Sequence, residues 1–192
     1  MHQSNFTKHT EFINEVEKLK LVSRANLTLG GTRQENSAEH SWHAALLAVV
    51  LAEYATPGVN INRVVKMLLI HDLVEIDGGD TWLYGTDQSL KAEKELTCAE
   101  RIFGLLPEPL SSELLNLWKE FEARETEDAR FAASIDGIQP LLNHLVTGAP
   151  AGPKISADRV RSKKEYIRQN TPQLWDLADE AIRASVDRKL YE

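Results

Sequence analysis

Apolar residues recur three and four positions apart along most of this chain, and glycine, proline or polar clusters interrupt them. Phe12, Val16, Leu19, Leu21 and Val22 predict a first helix over about residues 8–22. Residues 27–36 (Leu-Thr-Leu-Gly-Gly-Thr-Arg-Gln-Glu-Asn) read as a loop around Gly30-Gly31. Asn36 and Glu39 have the spacing of a capping box, which starts a second helix running to about Tyr54, where Thr56-Pro57-Gly58 stops it. Asn60 or Asn62 starts a third helix, which carries His71-Asp72 and breaks at Asp77-Gly78-Gly79-Asp80. After a loop through Asp87, a helix runs to about Phe103-Gly104, and Pro107 and Pro109 mark a turn. Ser111 or Ser112 is expected to cap the next helix, through Leu114, Leu117, Trp118 and Phe121. Phe131, Ile135, Ile138 and Leu142 line another, with Pro140 as a candidate kink. Beyond a connector at 148–153, Ser156 and Thr171-Pro172 begin two final helices. No strand or hairpin pattern stands out. The expectation is an all-α, single-domain helical bundle over residues 1–192, with its core at about 10–170 and the C-terminal helices packing on it.

Composition narrows the function. The chain has 192 residues, 42% of them hydrophobic, and a formal charge of -7. That charge argues against a nucleic-acid polymer as partner, which needs a basic face, but it leaves room for a small anion. Cys98 is the single cysteine, so no internal disulfide forms; its helical setting reads as a packed thiol. No apolar run approaches the ~20 residues of a membrane span, and Met1–Phe6 has no signal-peptide core. The expected setting is cytoplasmic, with no membrane partner.

The chemistry concentrates at His71-Asp72, inside the apolar run Val64–Val74. An imidazole and a carboxylate are both costly to bury unpartnered, and one metal ion satisfies both. Glu75 lies three and four positions on, on the same side. His40 or His43, three apart on one helix face, offers a further ligand. Asp136 lies with Ala132, Ala133 and Gln139 on a face of small and polar residues that would line a cleft. Imidazole and carboxylate donors suit Mn, Fe, Co, Ni or Zn, and Mg where carboxylate and water prevail.

In this order, His…His-Asp…Asp resembles the HD-domain metal-dependent phosphohydrolases. Arg33-Gln34-Glu35-Asn36-Ser37-Ala38-Glu39-His40-Ser41 is similar to the R-x-E-S-x-A-E-H-S run of the 5′-deoxynucleotidase group. His71-Asp72-Leu73-Val74-Glu75-Ile76-Asp77-Gly78-Gly79-Asp80 resembles that group's H-D-x-x-E-x-x-x-G-D. The resemblance implies that His40, His71, Asp72 and Asp136 hold one divalent ion, leaving His43 a packing role. It implies Glu75 as general acid/base, Asp80 as a second acid/base or positioning group, and Arg24 as a phosphate contact. In these relatives an aromatic residue follows that arginine closely; here Ala25, Asn26 and Leu27 do. Arg33 and Glu35 are expected to pair around the loop. Trp82 and Tyr84 would fold a loop onto the core, and Tyr166 and Trp175 read as packing or dimer contacts.

The activity implied is phosphomonoester hydrolysis of nucleoside 5′-monophosphates by a metal-activated water, in a homodimer. HD domains support several phosphoester reactions, so two alternatives accompany it: a phosphodiesterase or pyrophosphohydrolase of a signalling nucleotide, and a non-catalytic nucleotide-binding protein that keeps its metal for stability.

Overall fold

The computed structural model describes residues 4–79, 91–148 and 154–191. Helix α1 (Asn5–Val16) is capped by Ser4, whose hydroxyl accepts from the Thr7 amide, and it tightens into a 3₁₀ turn at Glu17–Leu21. Residues 23–36 depart from the expected loop. Strands β1 (Ser23–Leu27) and β2 (Gln34–Asn36) form an antiparallel hairpin. The Thr28 amide donates to the Arg33 carbonyl at 2.9 Å, and Gly30 and Gly31 turn the chain at φ 89° and 68°. The Asn26 side-chain amide donates to the Pro140 carbonyl at 3.0 Å, which pins the hairpin to the helix that carries Asp136.

Asn36 accepts from the Glu39 amide while Glu39 accepts from the Asn36 amide, so the expected capping box starts α2 (Ser37–Val50). A 3₁₀ turn at Ala52–Tyr54 succeeds it. Asn60 is the cap of α3 (Ile61–Ile70). This helix does not continue through His71-Asp72. The chain tightens to a 3₁₀ turn at His71–Val74 and then makes one α-turn, α4 (Glu75–Gly78), which ends at Gly79 with φ 71°. The Trp118 indole donates to the His71 carbonyl at 3.2 Å, occupying a backbone acceptor at this break. Arg101 of α5 (Lys91–Phe103) grips Asp77 through two hydrogen bonds of 2.7 Å and reaches Glu15 at 2.9 Å. The short α4 is thereby tied to α5 and α1.

The next helix, α6 (Leu110–Ala123), begins at Pro109, not at Ser111 or Ser112. Glu108 supplies the capping oxygens instead: it accepts from the Ser112 hydroxyl at 2.8 Å and the Ser112 amide at 3.4 Å. Thr126 caps α7 (Glu127–Thr147), which has Pro140 inside it. Ser156 caps α8 (Ala157–Asn170), and Pro172 opens α9 (Pro172–Asp187). Thr171 stands at the cap of α9, but its hydroxyl bonds Ser134 at 3.3 Å and leaves the helix amides alone.

Helix α7 is the central element. It packs against α2, α3, α6, α8, α9 and β1. Phe131, Ile135 and Ile138 are buried, and so are Ala132, Ala133 and Gln139 on the other face. On that second face the small residues let neighbouring elements close in, and the Asp136 side chain stays 25% exposed. Among the described residues, no helix is long and apolar enough to cross a membrane.

Gly137 marks the tightest approach. A Cβ there would lie 2.2 Å from the Tyr166 hydroxyl and 3.1 Å from Ile167 Cδ1 on α8. The Tyr166 hydroxyl also donates to the Ala133 carbonyl at 3.3 Å, so the ring is not free to swing away. Gly137→Ala is expected to cost about 1–3 kcal/mol, a typical overpacking penalty; a urea titration followed by circular dichroism measures it.

Candidate metal centre

His40 stands in the first turn of α2, fully buried, in a register fixed by the capping box. Arg33 clamps that box from outside, meeting the two Glu39 carboxylate oxygens at 2.8 and 2.5 Å. The expected Arg33–Glu35 pair does not form. Glu35 points inward, 5% exposed, and accepts from the Gln139 amide at 2.9 Å. The partners explain the switch: Glu39 takes both arms of Arg33, while Gln139 and Asn143 of α7 donate to Glu35.

That bond settles a proton position. A carboxylate only accepts, so the Gln139 nitrogen faces Glu35 and its oxygen faces His40 Nδ1, 2.8 Å away. Nδ1 therefore carries the hydrogen, and a neutral His40 presents the lone pair of Nε2. Opposite that lone pair, at 2.9 Å, is Asp136 Oδ1. Two acceptors at this distance need a cation between or beside them, either a proton or a metal. His43 contributes only outside this contact, with Nδ1 3.1 Å from the Gln139 amide nitrogen.

His71 repeats the arrangement. Its Nδ1 donates to the Leu68 carbonyl at 2.8 Å, which leaves Nε2 as the lone-pair nitrogen. Nε2 is buried without a hydrogen-bond partner, yet it lies 3.1 Å from Asp72 Oδ1 and 3.5 Å from Asp136 Oδ1. The His40 and His71 rings are 5.4 Å apart, and Phe121 stacks obliquely on His71 at 5.1 Å. His40 Nε2 to Asp72 Oδ2 is 3.8 Å.

Donor separations of 2.9–3.8 Å are those of neighbouring ligands around one ion. Bonds of about 2.1 Å at right angles put adjacent donors about 3 Å apart. Donor atoms of His40, His71 and Asp72 all lie within 4.8 Å of one another. Asp136 closes the group, with its side chain 25% exposed and so on the solvent side. The nitrogen and carboxylate set, with one orphaned buried nitrogen, fits a divalent transition ion.

The electrostatics agree. Burial works against a charged His71, but Asp72 and Asp136 outweigh it and hold the imidazole at about 9. Burial likewise opposes the Asp136 carboxylate, yet the His40 bond and the nearby His71 imidazole hold it well below the usual carboxylate range. In the metal-free protein, a proton on His71 thus stands where a metal would. His71's folded value lies above its unfolded value near 6.5. Its stabilising contribution is therefore complete below about pH 6.5 and lost as pH rises through about 9. Differential scanning calorimetry of the apoprotein is expected to show Tm falling over that window, and saturating divalent ion to flatten the fall.

Two more of the expected residues join the cluster. Arg24, on β1, donates to Asp72 Oδ2 at 2.8 Å and lies 3.9 Å from Glu75 Oε2. Glu75 accepts from the Ser37 hydroxyl at 2.6 Å, its side chain 12% exposed. Asp80, Trp82 and Tyr84 lie outside the described residues. Among residues the motifs did not single out, Ser37 and Gln139 orient the site, and Lys164 borders it. Lys164 carried a signal: with Val160 and Ile167 it occupies an apolar stripe of α8, where a lysine is out of place. Cys98 is half-buried and its thiol is pushed up, chiefly by burial, in keeping with a packing role.

Comparison with known proteins places these features in a family. A predicted metal-dependent phosphohydrolase from Magnetospirillum magnetotacticum MS-1 superposes with a TM-score of 0.90 at 41% identity, covering 98% of this chain and 96% of that one. The 5′-deoxynucleotidase HDDC2 of Homo sapiens is 31% identical over 136 residues, which is 69% of this chain and 64% of the relative. Its Danio rerio counterpart is 29% identical over 136 residues, covering 69% of this chain and 66% of the relative. The chain thus spans just under two thirds of the length of these curated relatives. The HD domain model matches residues 16–175, a stretch that holds every donor described above. This chain belongs to the HD-domain family.

Proposed function

We propose that this protein is a divalent-metal-dependent phosphohydrolase acting on nucleoside 5′-monophosphates, in which His40, His71, Asp72 and Asp136 hold the ion. The observation that carries this reading is the pair of lone-pair nitrogens turned onto carboxylate oxygens, each fixed by a second bond behind its ring. A divalent ion supplies two things there: it lowers the pKa of a water and neutralises charge on phosphoryl oxygens. The chain's own groups do the rest. Glu75, held by the Ser37 hydroxyl, takes the proton of the attacking water and returns one to the leaving oxygen. Arg24 orients Asp72 and meets the phosphate at the rim. Asp80 is proposed as the second acid/base or positioning group, following the same motif.

Similarity to the 5′-deoxynucleotidases supports a nucleotide substrate. The deciding test is a phosphate-release screen with Mn, Co, Fe, Ni, Zn and Mg. Its substrates are ribo- and deoxyribonucleoside 5′-monophosphates, cyclic nucleotides and nucleoside pyrophosphates. Release from the monophosphates alone is expected. Turnover confined to cyclic or pyrophosphate substrates would move the assignment to a phosphodiesterase or pyrophosphohydrolase. Nucleotide binding with no hydrolysis anywhere would make it a binding protein.

A homodimer working in the cytoplasm completes the proposal. Trp42, Leu46 and Val49 form an exposed apolar stripe along α2, with exposed Val50 beside it. Light scattering is expected to give twice the 21.6 kDa chain mass.

A further inference from the structure

Helix α8 turns the stripe Val160, Lys164 and Ile167 into the core, and these residues are 1%, 7% and 0% exposed. A lysine at such a position covers its aliphatic stem at the cost of dehydrating its charge. Among the described residues its ammonium makes no hydrogen bond or ion pair. Three charged groups act on it: Asp136 attracts it, and Arg24 and Arg124 repel it.

The location follows from the packing. Helix α8 packs on α7 at Gly137, next to Asp136, through Tyr166 and Ile167. Arg124, at the left-handed C-terminal position of α6 with φ 53°, lays its guanidinium 4.9 Å from the Tyr166 ring centre. Asp136 of α7, Arg24 of β1 and Arg124 of α6 are thus the charged groups around Lys164 among the described residues, and the Asp136 carboxylate already faces His40 and His71. Arg24 is engaged as well, by Asp72. Of these cations, Lys164 is the one with no hydrogen bond, ion pair or ring contact among the described residues.

We propose that Lys164 is a phosphate-binding residue, its ammonium bonding a non-bridging oxygen of the substrate's phosphoryl group beside Asp136. This inference rests on the phosphohydrolase reading above. Burial pulls the ammonium down to about 8, which still leaves it mostly charged near neutral pH. A dianion arriving there completes a pairing that the protein alone leaves open.

Lys164→Met keeps an unbranched side chain, one heavy atom shorter, and removes the charge together with its N–H donors. Met replaces a buried unpaired cation with an apolar group, so Tm is expected to hold or rise. Metal content by elemental analysis is expected to stay at the wild-type value. Calorimetric titration with inorganic phosphate is expected to show binding weakened by about 10–100-fold, the range for one charge-assisted bond. KM for the best monophosphate in the screen should rise by a similar factor. Lys164→Gln, which keeps a neutral donor, should fall between the two. A phosphate affinity equal to wild type in both variants would overturn the proposal. So would a lowered Tm with loss of metal, the signature of a structural counter-ion to Asp136. If wild type hydrolyses nothing in the screen, the phosphohydrolase reading fails by itself; the phosphate titration still decides Lys164.

Discussion

A His71→Ala protein is expected to keep its helical circular dichroism, lose its divalent ion and release phosphate more than about 10³-fold slower than wild type. Losing an outer partner of a metal ligand typically costs about 10–100-fold in affinity or activity, and losing the ligand itself should exceed that. The reason lies in the hydrogen bond behind the ring. Leu68 fixes Nδ1 as the donor, so Nε2 faces Asp72 and Asp136 with no hydrogen-bond partner. His40 Nε2 also reaches both carboxylates, at 3.8 and 2.9 Å, but it fills a ligand position of its own. His43 cannot substitute, because it is committed to Gln139. Gln139→Ala offers the graded control, since it frees the His40 ring without removing it. Normal ion content and normal turnover in His71→Ala would place the reaction elsewhere.

Glu75→Gln is expected to bind the ion as wild type does and to lose about 10²–10⁴-fold in kcat, the usual worth of a general acid/base. The substitution preserves shape and leaves an amide oxygen for the Ser37 hydroxyl, so the local turn is kept. What disappears is a carboxylate able to take a proton, 3.9 Å from Arg24 and outside the four-donor group. KM should change little, because the loss falls on the transition state. Elemental analysis and steady-state kinetics on the same preparation separate this from a defect in ion binding. Unchanged turnover would remove Glu75 from the mechanism.

The sequence disclosed the donors better than the geometry that unites them. Asn36, Asn60 and Ser156 all accept from helix amides, and chemistry so local is readable without tertiary information. The break at His71 was not readable. Apolar residues run unbroken from Val64 to Val74 apart from Lys66 and the His71-Asp72 pair, and that run fits a continuous helix as well as a helix tightening to a 3₁₀ turn. The hairpin at 23–36 escaped because β1 is polar and only partly buried, and its hold on the fold comes from Asn26 reaching α7. Glu35 and Lys164 show the deeper limit. Each is a charged residue that local patterning puts on the surface, and each is buried by partners about 100 or more residues away or by a facing helix. Asp136 was legible as a candidate through the order of the motifs. Its burial beside two imidazoles is a product of the helix packing around α7.

Calorimetric titration of the chelated apoprotein with Mn, Co or Zn, repeated in buffers of different ionisation enthalpy, tests the central claim most directly. One ion per chain should be taken up with release of a proton, because His71, held at about 9, is protonated in its absence. No uptake, or uptake of equal strength in a His40→Ala and Asp136→Ala double variant, would contradict it.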